Sequence, residues 1–311
     1  MRTPDVKPAL AALAAVLTPS LPAQVQGATL EALCRRAPLV MRARVGSVQE
    51  RAHELHVSLG PERIYRGRLD VPPLLRESRT RHCGSFLHGL SPGQRLFVFA
   101  RVARGRLTPL GGRRGLVLMV PGARAAIEAL LATTTPGERV RLLALQLASE
   151  SSRVRTDAAL ALPRVPGLER TDRATRNRIG RALEESVQGR RGPELLALLL
   201  AAGRALPRTA AGVSWSLYLD EQRPELRPLA ERLLLEQLPL SLVAASAPSS
   251  SSPKARVRVA RLLAASRAEA AAPLLRGMLA DENVEVRRAA RAALDRKPAL
   301  RRSFRSIRPA Q

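Results

Sequence analysis

Aromatic side chains are scarce: one tryptophan, two tyrosines and four phenylalanines in 311 residues. Leucine, valine and alanine must therefore build the cores, and such small, regular side chains suit stacked helices better than a deep ligand pocket. The same scarcity counts against single-strand nucleic-acid binding, which relies on aromatic stacking platforms. Past the N-terminal region, no run approaches the roughly 18 apolar residues that span a bilayer, so no transmembrane segment is expected. GxSxG, a Walker loop, HExxH and a carboxylate pair in a recognisable setting are all missing. No catalytic residue, no cofactor and no enzymatic activity are therefore expected. Lysine occurs only at Lys7, Lys254 and Lys297, so a net charge of +26 comes almost entirely from arginine.

Such a charge suits a nucleic-acid or other polyanionic partner. An arginine bias also arises from GC-rich coding, and here the surplus is spread along the chain rather than clustered. At the N-terminus Arg2 and Lys7 precede the apolar run Ala9 to Leu17, and small residues follow at Ala23 and Ala28. That order is the pattern of a secretory signal. Residues 1–28 are read as a signal peptide, without a lipobox cysteine, which makes the protein secreted or periplasmic. Export permits a disulfide between Cys34 and Cys83; two free or intermolecular thiols are the alternative, because a cysteine count establishes no pair.

Thr29 to Arg36 reads as a short helix. Strands are expected at Leu39 to Val45, His53 to Leu59 running towards Tyr65, Leu69 to Arg76, Arg95 to Val102, and either Arg106 to Leu110 or Leu116 to Val120. Short strands at near-regular spacing with Gly and Pro turns indicate a small closed sheet. The run from Leu33-Cys34 through Pro38 to Val45, then Tyr65-Arg66-Gly67, Cys83-Gly84 and Leu90 to Ala100, resembles netrin-like domains, the OB-type barrel of the tissue inhibitors of metalloproteinases. The resemblance covers roughly residues 29 to 121. It implies a barrel in which the cysteines matching Cys34 and Cys83 each find partners elsewhere. The family's inhibitors chelate their target's zinc through a mature N-terminal cysteine, but cleavage after Ala28 would leave Thr29, so that mechanism does not carry over. His53, His56, His82 and His88 lie near Cys83 in sequence, yet His53 and His56 would point to opposite faces of one strand, which argues against a metal site.

From Gly122 the pattern turns helical, with helices expected at Ala123 to Ala132, Gly137 to Ser149, Arg153 to Leu162, Thr171 to Gln188, Pro193 to Leu206, Pro224 to Leu238, Lys254 to Ala265, Ala268 to Leu279 and Asn283 to Lys297. Arg256-Val257-Arg258 recurs twenty-nine positions later as Glu285-Val286-Arg287, and Val154-Arg155 opens a third copy. With Pro273-Leu274-Leu275 and Asp281, these copies resemble HEAT repeats, strongly over 253 to 296, fairly over 136 to 165 and weakly between. Val213 to Leu219 and the serine run Ser249 to Ser252 interrupt the pattern. If Val154, Val257 and Val286 are equivalent inward positions, then Arg155, Arg258 and Arg287 form a ladder. The resemblance implies that these arginines pair with a repeat-turn aspartate, here Asp281. Phosphate contact is left to the outward Arg288 and Arg291. Trp215, with Tyr218, is expected to pack in a helical core.

The expected architecture is two-domain, all-β then all-α: a small OB-type β-barrel over 29–121 followed by a HEAT-like α-solenoid over 122–311. The expected function is non-enzymatic binding of a protein partner outside the cytoplasm through the solenoid surface. Binding of an anionic polymer or nucleic acid, and protease inhibition through the barrel, are the alternatives.

Overall fold

A computed structural model describes residues 29–295 apart from 52, 79–86, 88, 190–191, 248, 250–251 and 267–270. The expected signal peptide, Cys83, His82 and His88 lie outside the described residues. An antiparallel sheet of six strands precedes most of the helical part, which has twelve α-helices among the described residues. Among those residues no helix is long and apolar enough to cross a membrane.

The opening helix, α1 (Leu30–Arg36), is capped by the Thr29 side chain, which accepts from the Ala32 amide. The strands are β1 (Leu39–Arg51), β2 (Glu54–Arg66), β3 (Leu74–Ser78), β4 (Arg95–Ala103), β5 (Arg106–Pro109) and β6 (Leu116–Leu118). They hydrogen-bond in the order β3-β2-β1-β4-β5, with β6 also on β4. Alternation places Leu39, Met41, Ala43 and Val45 of β1 in one core with Leu55, Val57, Leu59, Leu75, Leu96, Val98 and Leu107. The opposite face is also apolar at one end, where Val40, Phe97 and Phe99 are fully buried.

Several boundaries differ from the sequence reading. His53 sits in the β1–β2 turn rather than on the strand, so the opposite-face argument does not apply to it. The third strand starts at Leu74 rather than Leu69, since Pro72 and Pro73 carry no N–H for a ladder. Both Arg106–Pro109 and Leu116–Leu118 are strands, each pairing with β4. β1 extends beyond the run expected for it, to Arg51, while β2 runs on past Tyr65 to Arg66 as expected, with register shifts along the pair. Gly67 ends β2 at φ +79°, and a Cβ there would lie 2.3 Å from the Pro38 carbonyl oxygen, so only glycine fits this turn.

Strands give way to helices α2 (Ala123–Ala132), α3 (Pro136–Gln146) and α4 (Ser152–Ala161), and the chain compacts into two units divided at Pro166/Gly167. The first unit thus holds the sheet and α1 to α4. Polar ties explain this grouping. Tyr65 on β2 donates to Glu128 on α2, Arg139 on α3 pairs with Glu31 on α1 at 3.3 Å, and the Leu30 amide donates to Asp157 on α4 at 3.2 Å.

The second unit comprises α5 (Arg173–Gln188), α6 (Gly192–Ala205), α7 (Pro207–Leu219), α8 (Arg227–Arg232) with a π-turn over Leu233–Gln237, α9 (Leu240–Ala245), α10 (Pro253–Ser266), α11 (Ala272–Gly277) and α12 (Val284–Asp295). Helix α7 covers the stretch where the repeat pattern lapses. Its buried face is Ala210, Ala211, Ser214, Trp215, Leu217 and Tyr218, of which three are small, so it carries little hydrophobic periodicity. The expected helix at 224–238 is a 3₁₀ turn, a short α-helix and a π-turn in succession.

Candidate binding surface

Three helices start alike. In α4 the Ser151 side chain accepts from the Val154 amide, Val154 is buried, and Arg155 Nη1 reaches back to the Ser149 carbonyl at 2.7 Å. In α12 the Asn283 side chain accepts from the Val286 amide, Val286 is buried, and Arg287 Nη1 reaches the Asp281 carbonyl, also at 2.7 Å. In α10 the Ser252 hydroxyl accepts from the Ala255 amide, and Ala255 is the buried residue. Counted from the caps, the residue equivalent to Arg155 and Arg287 is therefore Arg256, not Arg258. The burial pattern agrees: Ala158, Ala159 and Ala161 of α4 and the Leu162 that follows it match Val259, Ala260, Leu262 and Leu263 of α10.

Arg258 is correspondingly displaced from the expected ladder. Its Nη2 lies 3.4 Å from Glu221, and its buried Nη1 has no hydrogen-bond acceptor among the described residues. Asp281 instead receives Arg256 bidentately, Nε at 2.7 Å and Nη2 at 2.9 Å, while its own carbonyl takes Arg287. One turn residue thus ties the preceding helix of the pair by its side chain and the following helix by its backbone. The signal for Arg256 is present in the sequence: it stands four positions after a capping residue, as Arg155 and Arg287 do. The Val-Arg dipeptide masks it.

The hydrogen bond from Arg256, then that from the Asn283 amide, holds the Asp281 carboxyl below its ordinary range. A carboxyl lowered in the folded state contributes stability that is complete above its unfolded value, about pH 4, and is lost as pH falls through the folded value. Acidification is therefore expected to loosen α12 first. Amide exchange measured on α12 across that interval should show the loss, and Asp281→Asn should flatten the profile.

Arg288 and Arg291 both point outward on α12. Arg288 is paired with Glu285 at 2.9 Å, and Arg291 is exposed. Beside them runs a groove of about 240 Å³ between α10 and α12, lined by Arg261, Ala264, Glu285, Arg288, Ala289 and Ala292 among others. Its floor is alanine and its rim carries two arginines against one glutamate.

Among the described residues of the first unit Cys34 is a free, buried thiol, and burial pushes it up to about 12. Its expected partner Cys83 lies outside the described residues. Among the described residues no group of three or more His, Cys, Asp or Glu is placed to hold a metal ion. His56 is engaged by Glu54 at 3.0 Å. No protein-family model, no curated protein and no solved structure matches the chain.

Proposed function

We propose that this protein is exported and acts as a non-enzymatic binding scaffold, with an OB-type netrin-like barrel over 29–121, HEAT-like repeats over 122–311, and the α10–α12 groove as its docking surface. The observation that carries this reading is the repeated helix start. In α10 and α12 a capping side chain, a buried residue three positions on and an arginine four positions on recur, and both arginines meet Asp281, Arg256 at its carboxylate and Arg287 at its carbonyl, as suits a helix pair built to stack on a neighbour. Between the two helices lies the alanine-floored groove. Its shape and charge fit a protein segment with small apolar side chains and acidic flanks. The composition points the same way, because seven aromatic residues leave little for a deep small-molecule pocket.

The test uses the full chain expressed with its N-terminus intact and recovered from the envelope fraction at moderate salt. Intact mass should show removal of residues 1–28. A co-purifying protein should be present with the parent chain and absent with Ala292→Trp, which fills the groove at an exposed position. An intact Met1 in the cytosolic fraction would overturn export, and undiminished recovery of the partner by Ala292→Trp would overturn the groove.

A further inference from the structure

The outer face of the sheet carries a second feature that the scaffold reading does not use. The β1–β4 register sets Arg44 directly opposite Arg95, and the β1–β2 register sets Arg42 opposite Arg63. Like charges directly opposite on antiparallel strands destabilise a sheet. Two such pairs here share one face, and a single carboxylate, Glu62, serves three of the four arginines. Arg95 Nε donates to Glu62 Oε1 at 2.8 Å, Arg42 Nε lies 3.0 Å from Oε2, and Arg44 Nε lies 3.5 Å from Oε1. Among the described residues only the Arg95 contact is a well-aligned hydrogen bond, and the buried Arg42 Nε has no aligned acceptor.

The fourth arginine, Arg63, stands over the Tyr65 ring at 4.7 Å and extends the positive field beside the cluster. Tyr65 turns its hydroxyl to Glu128, which Arg124 also engages at 3.1 Å, so that carboxylate is already occupied. Partial desolvation pushes the Glu62 carboxyl up, and the hydrogen bond and charge of Arg95 with the charge of Arg42 outweigh it, leaving it below its ordinary range. Glu62 is therefore a fixed anion that compensates one of several positive charges. Arg44 and Arg95 are each about half exposed, at 53% and 52%, and each meets Glu62 through Nε. An arginine fork matches the oxygens of a tetrahedral oxyanion, and two forks converging on one place match it better than either alone.

We infer that Arg42, Arg44, Arg63 and Arg95 form an oxyanion-binding face on the sheet, taking the phosphate or sulfate groups of an anionic polymer. Glu62 orients the guanidinium groups and competes with the ligand for them. Glu62 thereby sets the affinity from below: its removal frees donors without removing any contact the ligand makes. The contrast between two double arginine variants of equal charge change, one on this face and one away from it, separates the face from general attraction to a basic protein, in which only the total charge matters.

The experiment titrates the full chain with tripolyphosphate and, separately, with a heparin oligosaccharide, at ~50 and ~200 mM salt, a range over which phosphate contacts are strongly screened. Arg44→Ala/Arg95→Ala is expected to weaken binding about 10- to 100-fold and to reduce the salt slope by about two, one for each lost contact. Arg101→Ala/Arg106→Ala, the same charge change at exposed positions towards the far end of β4 and on β5, is expected to change it several-fold less. Glu62→Gln is expected to tighten binding. The tighter of the two probes identifies phosphate or sulfate as the source. Equal losses in the two double variants, weakened or unchanged binding in Glu62→Gln, or no saturable binding of either probe would overturn the inference. Thermal melts of each variant establish that the fold is kept, and Glu62→Gln, a gain in affinity, cannot be mimicked by misfolding.

Discussion

Replacing Trp215 by alanine is expected to destabilise the second unit by about 3–5 kcal/mol, the range for removing a large buried aromatic side chain. Trp215 is 1% exposed on α7, among alanines and leucines that cannot expand to fill its space. Its indole N–H donates to the Val243 carbonyl at 3.1 Å, fastening α7 to α9, and Tyr218 meets its ring edge-on at 6.0 Å. The Val243 carbonyl also accepts from the Ser246 hydroxyl at 3.3 Å, so loss of the indole does not leave it wholly unpaired. The cost should therefore be dominated by the lost volume, and Trp215→Phe should recover more than half of it. Chemical denaturation followed by circular dichroism checks both values. In the parent chain the transition can also be followed by fluorescence, since this is the only tryptophan. A loss below about 1 kcal/mol for Trp215→Ala would mean that α7 and α9 collapse onto the vacated site, which tight packing of this kind argues against.

Legibility in the sequence follows the same physics. The strands β1 and β4 were readable because their alternation buries one clear face, and the helices α2 to α6, α10 and α12 because apolar residues recur at helical spacing between caps. The bounds of helix α7 were not readable, since half of its inward residues are alanine or serine, and only the packing of Trp215 and Tyr218 in a helical core was expected. The ladder was readable as a pattern but not in register. Val257-Arg258 copies the wording of Val286-Arg287, while the helix is phased by the Ser252 cap, which makes Arg256 the working arginine. The oxyanion face was invisible, because it depends on strand register and on the bulges that bring Glu62 against β1 and β4. No spacing within one strand reveals arginines paired across three.

Asp157 was equally hidden, inside a stretch read only for its Val-Arg start, and its removal is the second large expected effect. Its side chain is 2% exposed, with Arg153 Nε at 2.6 Å, the Leu30 amide at 3.2 Å and Arg114 Nη1 at 3.7 Å. It joins α1, α4 and the turn before β6. Asp157→Ala leaves a buried amide without its acceptor and two guanidinium groups without their anion, an expected loss of about 3 kcal/mol. Asp157→Asn keeps an acceptor for Leu30 and should cost less. The pH dependence separates this aspartate from Asp281. Burial raises the Asp157 carboxyl more than the charges of Arg153 and Arg114 lower it. Above the ordinary carboxylate value, about 4, the folded form therefore holds a proton that the unfolded form has released. The contribution of Asp157 thus weakens as pH rises through that interval, whereas the contribution of Asp281 is lost as pH falls. The difference in unfolding free energy between the parent chain and Asp157→Asn should therefore decline with rising pH across it. A difference that instead grows with pH would show that the arginines, and not burial, govern this carboxylate.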